Sequence, residues 1–167
     1  MSGVHHQPQG PAFDVILLLH VICVFVGLAT VVTSAATATR LRRLLASRVA
    51  FPEAVVRYFH PGVNWAGRAM YGIPVFGFVL LAMSNGAYAL RDGWVMAGLG
   101  IFAAVTLLAE GTLWPAERRL QISLVPLVAG NCTPDESVLR DAKVMALSAT
   151  VALLLLIAAS ALMVAQP

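Results

Sequence analysis

Read for hydrophobic and polar positions alone, the chain divides into four long apolar runs separated by short polar stretches. The runs cover roughly Phe13 to Ala38, Trp65 to Tyr88, Trp94 to Trp114 and Val144 to Ala165. A helix crosses the hydrocarbon core of a bilayer with about 20 residues, and each run reaches that length. The pattern predicts an all-α fold, an integral membrane four-helix bundle. Four buried helices of a soluble protein would need polar sequence to clothe them, and too little remains. No low-complexity tail or Gly/Ser linker interrupts residues 1–167, so the whole chain reads as one transmembrane domain.

The ends of the runs carry their own signals. Trp65, Tyr88, Trp94 and Trp114 stand where interfacial aromatic belts form. Thr133, Pro134, Asp135 and Glu136 spell a capping box with proline at the first helical position, which starts the fourth helix around Pro134, ahead of its apolar run. Pro115 bends or restarts the third helix. Between the first two runs, Phe51 to Phe59 is a short amphipathic stretch ending at His60-Pro61-Gly62, expected to lie along the headgroups.

Composition agrees and charge adds a direction. The chain is 59% hydrophobic and 11% charged, with a mean hydropathy of +0.83 and a pI near 9.3. Its basic residues are not scattered. Arg40, Arg42, Arg43, Arg48, Arg57 and Arg68 follow the first run or open the second, and Arg118, Arg119, Arg140 and Lys143 follow the third. Arg91 alone lies on the other side. By the positive-inside rule the N- and C-termini are outside and the two long loops cytoplasmic. These charges flank spans without interleaved aromatics, so they do not read as a nucleic-acid surface. No Lys or Arg precedes the first run, which is long for a signal peptide and reads as an uncleaved anchor. Cys23 lies in a span and Cys132 in a loop, a poor arrangement for a disulfide.

Helical spacing then sorts faces. His20, Cys23, Gly27, Thr30, Ser34 and Thr37 share one stripe of the first span, expected to face protein. The same spacing selects Arg68, Tyr71, Val75, Phe78, Ala82 and Asn85 on the second span, and Met96, Leu99, Ala103, Thr106 and Glu110 on the third. Arg68 lies three residues inside Trp65 and Glu110 four inside Trp114, so antiparallel helices bring both to one depth. An unpaired charge in hydrocarbon costs at least about 2.5 kcal/mol. A structural ion pair between Arg68 and Glu110 is therefore expected, with Tyr71 or Thr106 satisfying a remaining oxygen.

A second constellation sits toward the outside. His20 and Cys23 are one turn apart, and Met83, Asn85, Met96 and Met163 fall at similar depths. Imidazole, thiolate and thioether suit a soft metal such as Cu(I), and His20 suits one axial position of a haem. Equally, methionines at helical spacing serve as core filler, and a lone histidine serves as a hydrogen-bonding core residue. His60 lies on the opposite side, and His5 and His6 lie in the N-terminal tail. The sequence holds no phosphate loop, dinucleotide fingerprint, His-Glu-x-x-His motif, nucleophile elbow or catalytic triad.

Leu19-His20 followed by Gly27 in the first of four spans resembles the superfamily that includes CopD-like copper-resistance membrane proteins, HemJ-like protoporphyrinogen oxidases and an uncharacterised family of bacterial integral membrane proteins. Asp92-Gly93-Trp94 and Trp114-Pro115-Ala116-Glu117-Arg118-Arg119 are similar to actinobacterial members of that family. The resemblance implies a haem- or copper-related site at His20. Two function classes stand side by side. One is a non-enzymatic accessory or assembly component of a membrane complex, partnered by the lipid bilayer and by a membrane protein or a second copy of the chain. The other is a haem- or copper-binding redox or metal-handling protein built on His20. A pore lined by the first-span stripe is a third.

Overall fold

The computed structural model describes residues 10–47, 50–84, 86–130 and 134–165. Among these residues the regular elements are all helical: α1 (Pro11–Ser47), α2 (Glu53–Tyr58), α3 (Trp65–Met83), α4 (Gly93–Val128) and α5 (Glu136–Ala165). Of these, α1, α3, α4 and α5 are long and apolar enough to cross a membrane.

The helix ends depart from the apolar runs for local reasons. α1 continues past Ala38 to Ser47 because Leu41 and Leu45 extend its buried stripe while Arg42 and Arg43 turn outward. α3 stops at Met83 instead of Tyr88. There Ser84 takes over, its hydroxyl donating to Leu81 O at 2.8 Å and accepting from Tyr88 N at 3.3 Å, and Gly86 adopts a φ of 83° that favours glycine. Asn85 lies outside the described residues.

α4 does not end at Trp114. It opens into a π turn over Ala109–Leu113 and runs on to Val128. Pro115 lacks an N–H and its ring crowds the carbonyl four residues earlier, and the wider turn lets the helix pass the proline unbroken. Likewise α3 tightens into a single 3₁₀ turn at Ala69–Tyr71 just ahead of Pro74. α5 begins at Glu136, and its cap is Asp135, whose Oδ1 accepts from Val138 N at 3.0 Å and from the Ser137 hydroxyl at 2.6 Å. Pro134 precedes the helix, and Thr133 lies outside the described residues.

Packing orders the helices α3, α1, α5, α4, with α1 against both α3 and α5, and α4 against α5. The α1–α5 seam is made of small side chains, among them Ala38, Ala142, Ala149 and Ala152 at 0% exposure. Small residues let two backbones approach closely. α2 seats one side on the bundle: Val55, and Phe59 just past its end, are each 2% exposed and join the core, while Glu53 and Arg57 face outward. Gly10, Val164 and the Tyr88–Trp94 connection line one cavity, so both described chain ends share one end of the bundle, the terminal end. The opposite, arginine-rich end is the basic end.

Candidate functional site

At the basic end α3 and α4, which make no extensive backbone approach to each other among the described residues, are tied by a polar cluster. Arg68 Nη1 donates to Glu110 Oε1 at 3.2 Å, and the Tyr71 hydroxyl donates to the same oxygen. The Arg68 guanidinium lies 3.6 Å from the centre of the Trp114 ring, and Tyr71 meets that ring edge-on at 5.9 Å. Thr106 is absent from the cluster because its hydroxyl donates to Phe102 O in its own helix at 3.0 Å. Glu110 belongs to the π turn ahead of Pro115. The two charged side chains keep 35% and 50% exposure, so the pair sits on the rim between the helices and not in the core.

The assignment of stripes holds on α1, where His20, Gly27 and Ser34 are buried. On α3 the buried positions are Gly67, Met70 and Ile73, while Val75 and Phe78 are 57% and 49% exposed. On α4 as far as Trp114 they are Gly98, Val105, Ala109 and Leu113, and Met96 is 56% exposed. In both helices every face is apolar, so spacing alone selects the wrong one. Neighbouring helices decide.

Further toward the basic end lies a network that the runs do not announce. Glu117 is 4% exposed on the buried face of α4, three residues after Trp114. Asn64 Nδ2 donates to it at 3.4 Å, and Asn64 Oδ1 caps α3 by accepting from Gly67 N at 3.0 Å. Tyr58 of α2 joins from the other side, its hydroxyl 2.7 Å from that of Ser34 in α1. Burial, then the negative charge of Glu117, push the Tyr58 phenol well above its ordinary value. Gln121 Nε2 donates to Gly62 O at 3.3 Å. Arg119 grips Asp141 of α5 through two bonds, at 2.9 and 3.0 Å. Thr112 donates to Leu108 O at 2.7 Å, so the 2.8 Å bond across to α5 is donated by Ser148. The available signal was the repeat Ala109, Leu113, Ala116, Leu120, Leu124, which carries the buried face of α4 past the tryptophan and sets Glu117 beside it.

At the terminal end α3 and α4 part, leaving a cavity of about 1020 Å³. Its walls are mostly apolar, and its deepest polar group is His20. The ring lies over Gly77, where an added Cβ would stand 3.5 Å from His20 Cε1. His20 Nδ1–H donates to Ile73 O at 2.9 Å. A carbonyl only accepts, so in the neutral ring the lone pair falls on Nε2, which has no hydrogen-bond partner among the described residues.

The soft-ligand set is not assembled there. Cys23 turns toward Gly72, where a Cβ would stand 2.5 Å from its Sγ. Met163 reaches the cavity, whereas Met83 and Met96 do not line it. Among the described residues no three His, Cys, Asp or Glu side chains lie together as a metal set. His20, Cys23 and these methionines therefore do not converge as one copper set among the described residues. A haem finds one nitrogen, held by its backbone bond as an axial ligand would be, and enough volume. Among the described lining residues its two carboxylates find no cation, and the one charged residue there is Asp14.

Comparison of the chain with family profiles, with curated proteins and with solved structures gives no match.

Proposed function

We propose that the chain is a multi-pass protein of a bacterial cytoplasmic membrane, with both termini outside, that serves as a non-enzymatic accessory or assembly component of a membrane complex. The observation that carries the reading is the apolar face of α4 beyond the span. Trp94 to Trp114 covers about 30 Å at 1.5 Å per residue, the thickness of a hydrocarbon core, and α4 continues through Val128. On that extension Ile122, Val125 and Val128 are 67%, 55% and 46% exposed. Large apolar side chains outside the hydrocarbon and outside the core mark a surface for a protein partner. Arg119–Asp141 and the Glu117 network hold the extension rigid against the rest of the bundle.

The competing reading, a haem-binding redox protein, has the geometry of His20 in its favour and the lone Asp14 charge of the lining against it. The test is photo-crosslinking in cells from benzoylphenylalanine placed at Ile122 or Val125, with Leu154, 62% exposed on the span, as the lipid-facing control. The expected product is a discrete adduct to a second membrane polypeptide from the first two positions and not from the control. An adduct at twice the monomer mass makes the chain its own partner, and no adduct from either position ends the accessory reading.

A further inference from the structure

The cavity at the terminal end is separate from the docking face on α4, and its contents follow from its own chemistry. We propose that it binds a neutral phenol carrying a hydrocarbon tail, which enters from the bilayer between α3 and α4. This shares with the preceding proposal only the membrane setting.

The volume, about 1020 Å³, is at the upper end of the roughly 300–1,000 Å³ of small-molecule sites. Phe13, Phe78, Tyr88, Trp94 and Phe102 line it, faces and edges that suit another aromatic ring. The anchor is an acceptor. Because His20 Nδ1–H is spent on Ile73 O, Nε2 offers a lone pair, and a lone pair takes a hydroxyl proton and gives nothing to a carbonyl or an ether oxygen. At the mouth the charged lining residue is Asp14, which repels carboxylates and phosphates, so fatty acids, phospholipids and porphyrin carboxylates are disfavoured. A hydroxyl on an uncharged ring satisfies the anchor and escapes the repulsion. The way in is lateral. Among the described residues α3 and α4 make no extensive backbone approach along their terminal halves, and Phe78 on that side is 49% exposed.

The experiment uses the full chain in nanodiscs, with para-decylphenol and its methyl ether as probes and tryptophan fluorescence as the readout. Trp94 lines the cavity, and a Trp94→Phe protein shows which part of the signal is its own. Saturable quenching by the phenol is expected, with the ether weaker by roughly tenfold, the factor that corresponds to one hydrogen bond to a buried acceptor. His20→Phe should bind the two probes equally, and Val95→Phe, which narrows the cavity, should weaken both. Should His20→Phe fail to fold, the comparison of phenol with ether on the unaltered chain decides alone. Absence of saturable quenching overturns the proposal, as does equal binding of the two probes by the unaltered chain. A haem absorption band in the purified protein that disappears in His20→Ala also overturns it, because iron would then hold Nε2.

Discussion

The basic and terminal ends of the bundle place α3 and α4 at the same two positions around α1 and α5, and join them in opposite ways. At the basic end Arg68, Tyr71 and Asn64 from α3 and its entry reach Glu110, Trp114 and Glu117 of α4. At the terminal end no such pairs link the helices among the described residues, and they stand apart around a cavity of about 1020 Å³. Outside that polar cluster the facing surfaces are apolar. Burying such surfaces against each other gains little where hydrocarbon is the alternative, so the directional bonds settle where α3 meets α4. The polar pairs close one end, and the lack of them leaves the other open to a ligand.

The comparison fails if α3 is not firmly seated on α1, and the largest expected effect tests that seat. A Cβ at Gly72 would lie 2.5 Å from Cys23 Sγ and 3.4 Å from Cys23 Cβ. Gly72→Val should therefore cost about 1–3 kcal/mol, as overpacking does. Combining it with Cys23→Ala should recover most of the loss, read from thermal unfolding in detergent. If the second substitution recovers nothing, the helices are not in contact at this level.

The clasp itself comes next. Arg68→Ala removes a rim-exposed ion pair, worth about 0.2–1 kcal/mol, and a cation–π contact of about 0.5–1 kcal/mol. A loss near 1 kcal/mol is expected, since the two share one guanidinium, and Tm should fall by about 2–4 °C in a chain of this size. Glu110→Gln should cost less, because the amide oxygen still accepts from Tyr71. An Arg68→Ala protein that melts with the unaltered one would mean that the ends are joined by something else.

How much of this the sequence disclosed depends on the kind of signal. Charges inside apolar runs are informative because each needs a partner at its own depth, and Arg68 and Glu110 stand at matching depths from Trp65 and Trp114. The four helices are legible for the same reason, length and apolarity. Facing is not. Val75 and Phe78 belong to a plausible stripe yet stay 57% and 49% exposed instead of packing between helices, since no polar face marks which side is covered. Helix ends are hidden where they depend on tertiary contacts. Glu117 and Asp141 look like solvated charges beside arginines, yet they are 4% and 5% exposed, because Asn64, Tyr58 and Arg119 arrive from elements distant in sequence. The cavity is invisible too, as it exists only through the parting of two helices.

A smaller effect sharpens the basic end by pH. The folded phenol of Tyr58 titrates above its ordinary value of 10.0, so the folded state holds that proton more tightly than the unfolded chain does. The stabilisation is complete below about pH 10 and fades as the pH climbs toward the raised folded value. Thermal stability should thus decline above pH 10, and Tyr58→Phe should flatten part of the decline while losing its bond to Ser34. Parallel pH profiles for the two proteins would mean that neither burial nor Glu117 raises this phenol in the folded state.

The smallest expected effect is on the open end, and its smallness is the point. In a packed core, Val→Phe forces side chains off their rotamers and costs about 1–3 kcal/mol. Val95 instead lines the cavity, where the larger ring displaces no protein atoms. Val95→Phe should leave the stability within about 0.5 kcal/mol of the unaltered protein, the range of substitutions that touch no packed feature. The same substitution should reduce uptake of a tailed phenol, so stability and binding separate at one residue. A clear destabilisation would show that α3 and α4 close on each other in the membrane, and that the two ends differ less than their geometry indicates. Unchanged stability with reduced binding ties the opening to a ligand, since a space that serves no binding can be filled without consequence.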